Sequence, residues 1–321
     1  MSALSCLKQM TKVVADTGNI AEIARYRPED ATTNPSLLLK AVKLPEYDFV
    51  LERVVAKNAA LAASQGVDEA MLDIAVAFGI EILKLIPGRV STEVDARLSF
   101  DSEKTLAFAR RLIEKYQAAG IDRARVLIKI ASTWEGIKAA EILEREGIHC
   151  NLTLMFDLAQ AIACARANIT LISPFVGRIT DWYRHQAGSD HFPPVSEDKG
   201  VLSVKEIFAH YKKFGYQTTV MGASFRHVEQ VKALAGCDAL TIAPNLLAAL
   251  EADHAPLKQA LDAEKIKKST KPDASMSEAA FRWAMNQNPM ASEKLDEGIR
   301  FFAKDTLLLE QIISEKLTGR R

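Results

Sequence analysis

Short runs of β-branched and aliphatic residues alternate along the chain with longer stretches whose apolar positions recur every three or four residues. The runs are Val13–Asp16, Ala31–Thr33, Val90–Asp95, Val126–Ala131, Cys150–Leu154, Ile169–Ser173, Thr219–Ser224 and Leu240–Ala243. Between them Leu72, Val76, Gly79, Leu83 and Ile86 fall at helical spacing, as do Leu106, Ala109, Ile113 and Tyr116, and Val204, Ile207, Phe208 and Tyr211. Strands alternating with helices predict βαβ units and a parallel sheet. Eight strands suggest a (β/α)8 barrel, with a doubly wound open sheet as the alternative. An open sheet would usually advertise a nucleotide through a Gly-rich first turn. Neither G-x-G-x-x-G nor G-x-x-x-x-G-K-[ST] occurs, which favours the barrel.

Beyond the last strand, Leu295, Ile299, Phe302, Leu309 and Ile313 predict a long amphipathic helix over about 292–317. It would pack over the barrel or against a second subunit. Length alone would allow two domains in 321 residues. No Gly/Ser/Pro tract or low-complexity block divides the sequence, so a single domain over 1–321 is expected.

Composition narrows the function. Apolar residues make up 48% and charged residues 26%, as in an ordinary globular protein. The 41 Lys and Arg cancel the 41 Asp and Glu, so no global field draws the chain to nucleic acid or a membrane. No apolar run approaches a membrane span, and the first residues lack the pattern of a secretory signal. Cys6, Cys150, Cys164 and Cys237 lie far apart without C-x-x-C, which disfavours both a disulfide scaffold and a zinc site. A reduced, cytoplasmic enzyme or binding protein is the expectation.

Candidate chemistry lies near strand ends, where side chains alternate between faces. In Val126–Ala131, Val126, Ile128 and Ile130 share one face and Lys129 takes the other. An ammonium in an apolar strand tends to shed its proton, because burying the charge is costly, and a neutral amine can attack a ketone to form a Schiff base. The alternative is a lysine that snorkels to water. The neighbouring strands also turn polar toward their ends. Ser91, Glu93 and Asp95 share a face in one, Asn151 and Thr153 in another, and two more end at Asp16 and Ser173. Glu93 and Asp16 are the carboxylates available for proton transfer. Against this, Asp16-Thr17-Gly18 could be an Asx-turn, and Glu93 could pair with Arg89 or Arg97.

Asn34-Pro35 has the form of an N-cap followed by proline at the first helical position. Ser132-Thr133-Trp134-Glu135 reads as a capping box, assigning Ser132 and Glu135 to structure. Arg178 follows the sixth strand. Ser224 and Arg226 follow the seventh, where a helix is expected to open. Hydroxyl, guanidinium and helix N-terminus together suit a phosphate. Surface ion pairing is the alternative for each arginine. His227 is expected on a helix surface.

Two segments carry a family resemblance. Asp30-Ala31-Thr32-Thr33-Asn34-Pro35-Ser36-Leu37-Leu38 and Val126-Leu127-Ile128-Lys129-Ile130-Ala131-Ser132-Thr133-Trp134-Glu135-Gly136-Ile137 resemble the signature segments of transaldolases. The stretches 13–18, 88–95 and 173–178 fit as well, and the resemblance runs from about residue 5 to about residue 317. It implies a barrel of the class I aldolase type with extra helices at both ends, working without metal or organic cofactor. It implies transfer of a dihydroxyacetone unit between sugar phosphates in the non-oxidative pentose phosphate pathway, by a cytoplasmic homodimer. By the same resemblance Lys129 is the Schiff-base lysine. Glu93 is the acid/base acting through a water that Thr153 holds, and Asp16 takes the C4 hydroxyl proton. Asn34, Asn151 and Ser173 hold the hydroxyls of the transferred unit, while Arg178, Ser224 and Arg226 hold the phosphate. The rival readings are an aldolase that releases dihydroxyacetone and a silent barrel that only binds sugar phosphates or a protein partner.

Overall fold

Eight parallel strands, taken in sequence order, close on themselves. The computed structural model describes residues 1–61, 63–271, 273 and 275–319. Its strands are β1 (Lys12–Asp16), β2 (Asp30–Thr32), β3 (Val90–Glu93), β4 (Val126–Ala131), β5 (Cys150–Met155), β6 (Leu171–Pro174), β7 (Thr219–Gly222) and β8 (Ala239–Ile242). Each pairs with the next, and β8 returns to pair with β1, which removes the open-sheet alternative. Helices separate consecutive strands and form the outer layer. Among the described residues no helix is long and apolar enough to cross a membrane.

The two-residue period of the strands divides the core. Val126, Ile128 and Ile130 face outward into the large apolar layer beneath the helices. Val14, Leu127, Leu171, Met221 and Ala239 form a separate apolar cluster. These five come from alternate positions of β1, β4, β6, β7 and β8 and make the barrel's floor. Two residues further along the same face, the chain places Asp16, Lys129, Ser173, Ala223 and Thr241. The sequence thus seals the lower barrel with hydrocarbon and turns polar one layer higher, at the C-terminal ends of the strands.

The C-terminal helix runs over Pro289–Leu317, starting three residues before the expected position because Asn288 caps it and Pro289 opens it. Leu295, Ile299, Phe302, Leu309 and Ile313 are all buried. This face packs on helices Pro35–Ala41, Asp48–Asn58, Ala63–Leu83 and Gly177–Gln186 and on β5, so the helix lies across the barrel. The Ser36 hydroxyl donates to Asp305 and ties the C-terminal helix to the first turn of the helix after β2.

Several local expectations are corrected. Strand β3 ends at Glu93, so Asp95 leaves the shared face, caps a short 3-10 turn and pairs with Arg97. The N-cap after β4 is Thr133, not Ser132: the Thr133 hydroxyl accepts from Gly136 N–H, while Ser132 donates to the Thr153 carbonyl. Glu135 pairs instead with Arg282. Asp16 does not make an Asx-turn; the Thr17 hydroxyl accepts the Asn19 N–H, and Asp16 accepts from Thr32. The helix after β7 opens at Val228 with His227 as N-cap, two residues beyond Arg226. His227 packs its ring against Phe192 rather than lying free on a surface.

Candidate active site

Lys129 projects from the middle of β4 into the upper barrel and is 5% exposed. Its Nζ donates to the Thr33 carbonyl at 3.1 Å and lies 3.0 Å from Glu93 Oε2. Glu93 is register partner to Lys129 across β3 and β4. Its carboxylate therefore goes to the lysine, while Arg89 pairs with Asp30, and Arg97 with Asp95 and Glu310. The contact is a close ion pair rather than an aligned hydrogen bond, since among the described residues Oε2 has no partner of good hydrogen-bond geometry. Burial raises the Glu93 carboxyl above its ordinary range, and the Lys129 charge pulls only partly the other way. Glu93 is thereby a stronger proton acceptor than an exposed carboxylate.

Asp16, at the end of β1, accepts from the Thr32 hydroxyl at 3.1 Å, and that hydroxyl is 3.0 Å from the Thr241 hydroxyl of β8. Burial raises this carboxyl too, against the lowering influence of Lys129. Three strands thus hold a second proton acceptor near the lysine. Asn151 is register partner to Lys129 on the other side; its amide donates to the Ser91 hydroxyl at 3.0 Å and accepts from Ser173 at 2.6 Å. The Thr153 hydroxyl is fully buried with no partner among the described residues. Beside it Leu154 has φ +53°, and the β5–β6 register slips between Leu152 and Met155. Bulges of this kind re-aim side chains at barrel rims.

Asn34 is both cap and candidate ligand. Its carbonyl oxygen accepts from the Leu37 N–H at 2.9 Å, which leaves the amide nitrogen for a substrate oxygen. A cavity of 210 Å3 joins Asp16, Asn34, Lys129, Thr153, Ser173 and Arg178, and reaches Ser224 and Arg226. Two of the ten expected residues stay off its walls: Asn151, which accepts from Ser173, and Glu93, which pairs with Lys129 and lines a separate cavity of 410 Å3.

At the mouth, Arg178 is largely buried between the rings of Phe175 and Phe302, with its guanidinium carbon 5.0 and 5.5 Å from their centroids. Among the described residues no carboxylate pairs with it, and desolvation disfavours its charge. Ser224 sits at φ +61°, a left-handed backbone that a side chain seldom adopts, and its carbonyl accepts from Gly177 N–H at 2.6 Å. A Cβ on Gly177 would lie 2.3 Å from that oxygen, so only glycine lets the two loops meet. Arg226 donates through Nε and NH2 to Asp181 at 2.8 and 2.6 Å, with NH1 3.4 Å from the Ser224 hydroxyl.

Sequence reasoning missed several participants. Thr241 obeys the period-two rule from Ala239 and could have been found by it. Phe302 was recognised only as a core position of its helix. Asp181, and the buried set Thr180, Asp198 and Gln230, carried no signal, because their partners are distant in sequence. Gln230 accepts from the Arg226 N–H and donates to Thr180 and Asp198, and so fixes the loop from below.

Known proteins resemble this chain in sequence. The profile of the family described as "Transaldolase/Fructose-6-phosphate aldolase" matches residues 13–313. The chain belongs to that family. Relatives in the family include a transaldolase of Marinomonas sp. (strain MWYL1), 56% identical over 98% of this chain and 99% of its own. One of Shewanella sp. (strain W3-18-1) is 53% identical over 99% of both chains. Family membership and the barrel agree with the expectation drawn from the two signature segments.

Proposed function

We propose that this protein is a transaldolase that carries a dihydroxyacetone unit on Lys129 from a ketose phosphate to an aldose phosphate. The observation that carries the reading is Lys129 itself, a buried amine held 3.0 Å from a carboxylate whose proton affinity burial has raised. Such a pair can pass a proton from the amine to Glu93 and free the nitrogen for attack. Nitrogen adds to the C2 carbonyl of the donor, and Glu93 supplies the proton with which the C2 oxygen leaves as water. In this reading the Thr153 hydroxyl, buried and without a partner among the described residues, holds that water.

The resulting protonated imine draws electrons from C2. Asp16 then takes the proton of the C4 hydroxyl, the C3–C4 bond breaks, and its electron pair becomes the enamine C2–C3 double bond. An aldose phosphate leaves. When a second aldehyde enters, C3 of the enamine attacks its carbonyl, Asp16 returns its proton to the new hydroxyl, and water releases the product from Lys129. Asn34, Asn151 and Ser173 orient the hydroxyls of the three-carbon unit in this reading.

Arg178, Ser224 and Arg226 bind the phosphate. Sedoheptulose 7-phosphate and fructose 6-phosphate are the donors proposed, glyceraldehyde 3-phosphate and erythrose 4-phosphate the acceptors, within the non-oxidative pentose phosphate pathway. Assembly as a cytoplasmic homodimer belongs to the same proposal, and sedimentation of the purified chain tests it. The main experiment is borohydride reduction in the presence of fructose 6-phosphate, followed by peptide mass mapping. A reduced dihydroxyacetone adduct on the peptide carrying Lys129 is expected, and an adduct elsewhere overturns the assignment. Product analysis with and without acceptor aldehyde separates transfer from release of free dihydroxyacetone.

A further inference from the structure

A second cavity, of 240 Å3, lies on the far side of the two arginines and is lined by Arg178, Asp181, Arg226, Lys294, Glu297 and Phe301. It shares Arg178 and Arg226 with the cavity that holds Lys129, so the guanidiniums stand between an inner and an outer chamber. Three of the outer lining residues, Lys294, Glu297 and Phe301, come from the C-terminal helix. The helix can come this close because residue 298 is glycine: a Cβ there would lie 2.6 Å from a Leu154 methyl and 3.1 Å from Arg178 NH1.

The charges are arranged unevenly. Asp181 holds Arg226, and Glu297 holds the Lys294 ammonium at 2.5 Å. Arg178 lies against two aromatic rings, and among the described residues no carboxylate forms an ion pair with it. Three cations facing two carboxylates leave the chamber net positive before any ligand arrives. The Lys294 side chain is only 19% exposed, low for a lysine on a surface helix, and it borders this chamber while paired with Glu297. Its pair with Glu297 is one helical turn long and remains in contact with solvent, so a dianion can compete for it.

We infer that Lys294 is a further substrate-binding residue, the outermost cation of the phosphate site, and that it serves the longer ketose. This rests on the transaldolase reading above. Both proposed donors must place C2 on Lys129, yet their phosphates stand one carbon–carbon bond apart along the chain. Arg178 and Arg226 reach both positions, since they border both chambers. Of the two chambers Lys294 borders only the outer one, at its junction with a surface groove that Asp181, Glu293 and Asp296 also line, and it meets the phosphate that extends further. Glu297 holds the ammonium over the site while it waits, as Asp181 does for Arg226.

The test compares Lys294→Ala and Lys294→Arg with the parent on sedoheptulose 7-phosphate, fructose 6-phosphate and unphosphorylated fructose. Lys294→Ala should raise KM for the seven-carbon donor about tenfold, the worth of one charge-assisted contact, with kcat nearly unchanged. KM for the six-carbon donor should rise less than about threefold, and the plain sugar should be unaffected. Lys294→Arg should restore the seven-carbon KM. Unchanged KM values, equal rises for both phosphorylated donors, or equal losses on plain and phosphorylated sugars would each overturn the inference. Calorimetric titration with inorganic phosphate gives a readout independent of turnover, and Lys294→Ala should weaken that binding. A parent that binds phosphate but transfers no three-carbon unit would refute the transaldolase reading and leave the anion site standing. A parent that transfers normally beside an unaltered Lys294→Ala would refute only the role of Lys294.

Discussion

Glu93 and Lys129 are register partners on adjacent strands, and their side chains meet at 3.0 Å inside the barrel. The pair is buried on both sides, so neither charge can be removed without changing the state of the other. Glu93→Gln keeps the size and removes the proton acceptor. Imine formation should slow by about 100-fold or more, within the range of general acid–base catalysis. Dead-end binding of a phosphorylated sugar alcohol should change little. Rapid-quench borohydride trapping measures the first quantity and calorimetry the second. Trapping at the parent rate would remove Glu93 from the proton path.

Asp16→Asn should fail at a later step. The imine forms, because Lys129 and Glu93 are intact, but no carboxylate takes the C4 hydroxyl proton. Borohydride should then trap the whole donor rather than its three-carbon fragment, with turnover reduced by about 100-fold or more. The same substitution changes stability with pH. Burial raises the Asp16 carboxyl above its ordinary 3.8. A group with a raised folded-state value contributes most below 3.8, and that contribution is lost as pH rises through the folded value. The variant should therefore melt roughly a few degrees above the parent near neutrality, and the gap should close in acid. A constant gap across that pH range would mean that Asp16 does not titrate as its burial implies.

Much of this site was legible in the sequence because strands repeat every two residues. Leu127 and Lys129 share a face, as do Val14 and Asp16, and Leu171 and Ser173, so an apolar layer followed by a polar one can be read directly. Where the strand ended, the rule ended with it. Asp95 follows Glu93 by two positions, yet the chain has already turned into a 3-10 segment. The loop after β7 was read as a helix start, but Ser224 adopts a left-handed backbone whose cause is the Gly177 contact 47 residues away. Asp181 and Gln230 answer to Arg226 across different helices. Such pairings depend on how the helices dock, and local periodicity carries no record of that.

Gln230 should prove a support for the phosphate loop. Its side chain bonds to the buried Thr180 and Asp198 and to the half-buried Arg226 N–H. Gln230→Leu removes the partner of Asp198 Oδ2 and of the Arg226 N–H and should lower unfolding stability by about 1–3 kcal/mol. The loop it anchors carries Arg226, so KM for phosphorylated sugars should rise while KM for plain sugars holds. Chemical denaturation and paired kinetics check the two effects. A stability loss without the KM change would make Gln230 a core residue only.

Arg178 and Arg226 should differ in their cost when lost. Arg178 lies against two rings and, among the described residues, pairs with no carboxylate, so its charge is already desolvated and available to whatever anion arrives. Arg226 shares its guanidinium with Asp181, and phosphate must compete for it. One charge-assisted contact is worth about 1.5–3 kcal/mol, or about ten- to a hundredfold in affinity. Arg178→Ala should fall near the upper end of that range and Arg226→Ala near the lower. Both contacts exist in ground and transition states alike, so KM should rise more than kcat falls. Comparing kcat/KM for fructose 6-phosphate and fructose in each variant decides the point. The plain sugar never uses the site, and equal losses on both sugars would mean that the arginines shape the barrel mouth rather than hold the phosphate.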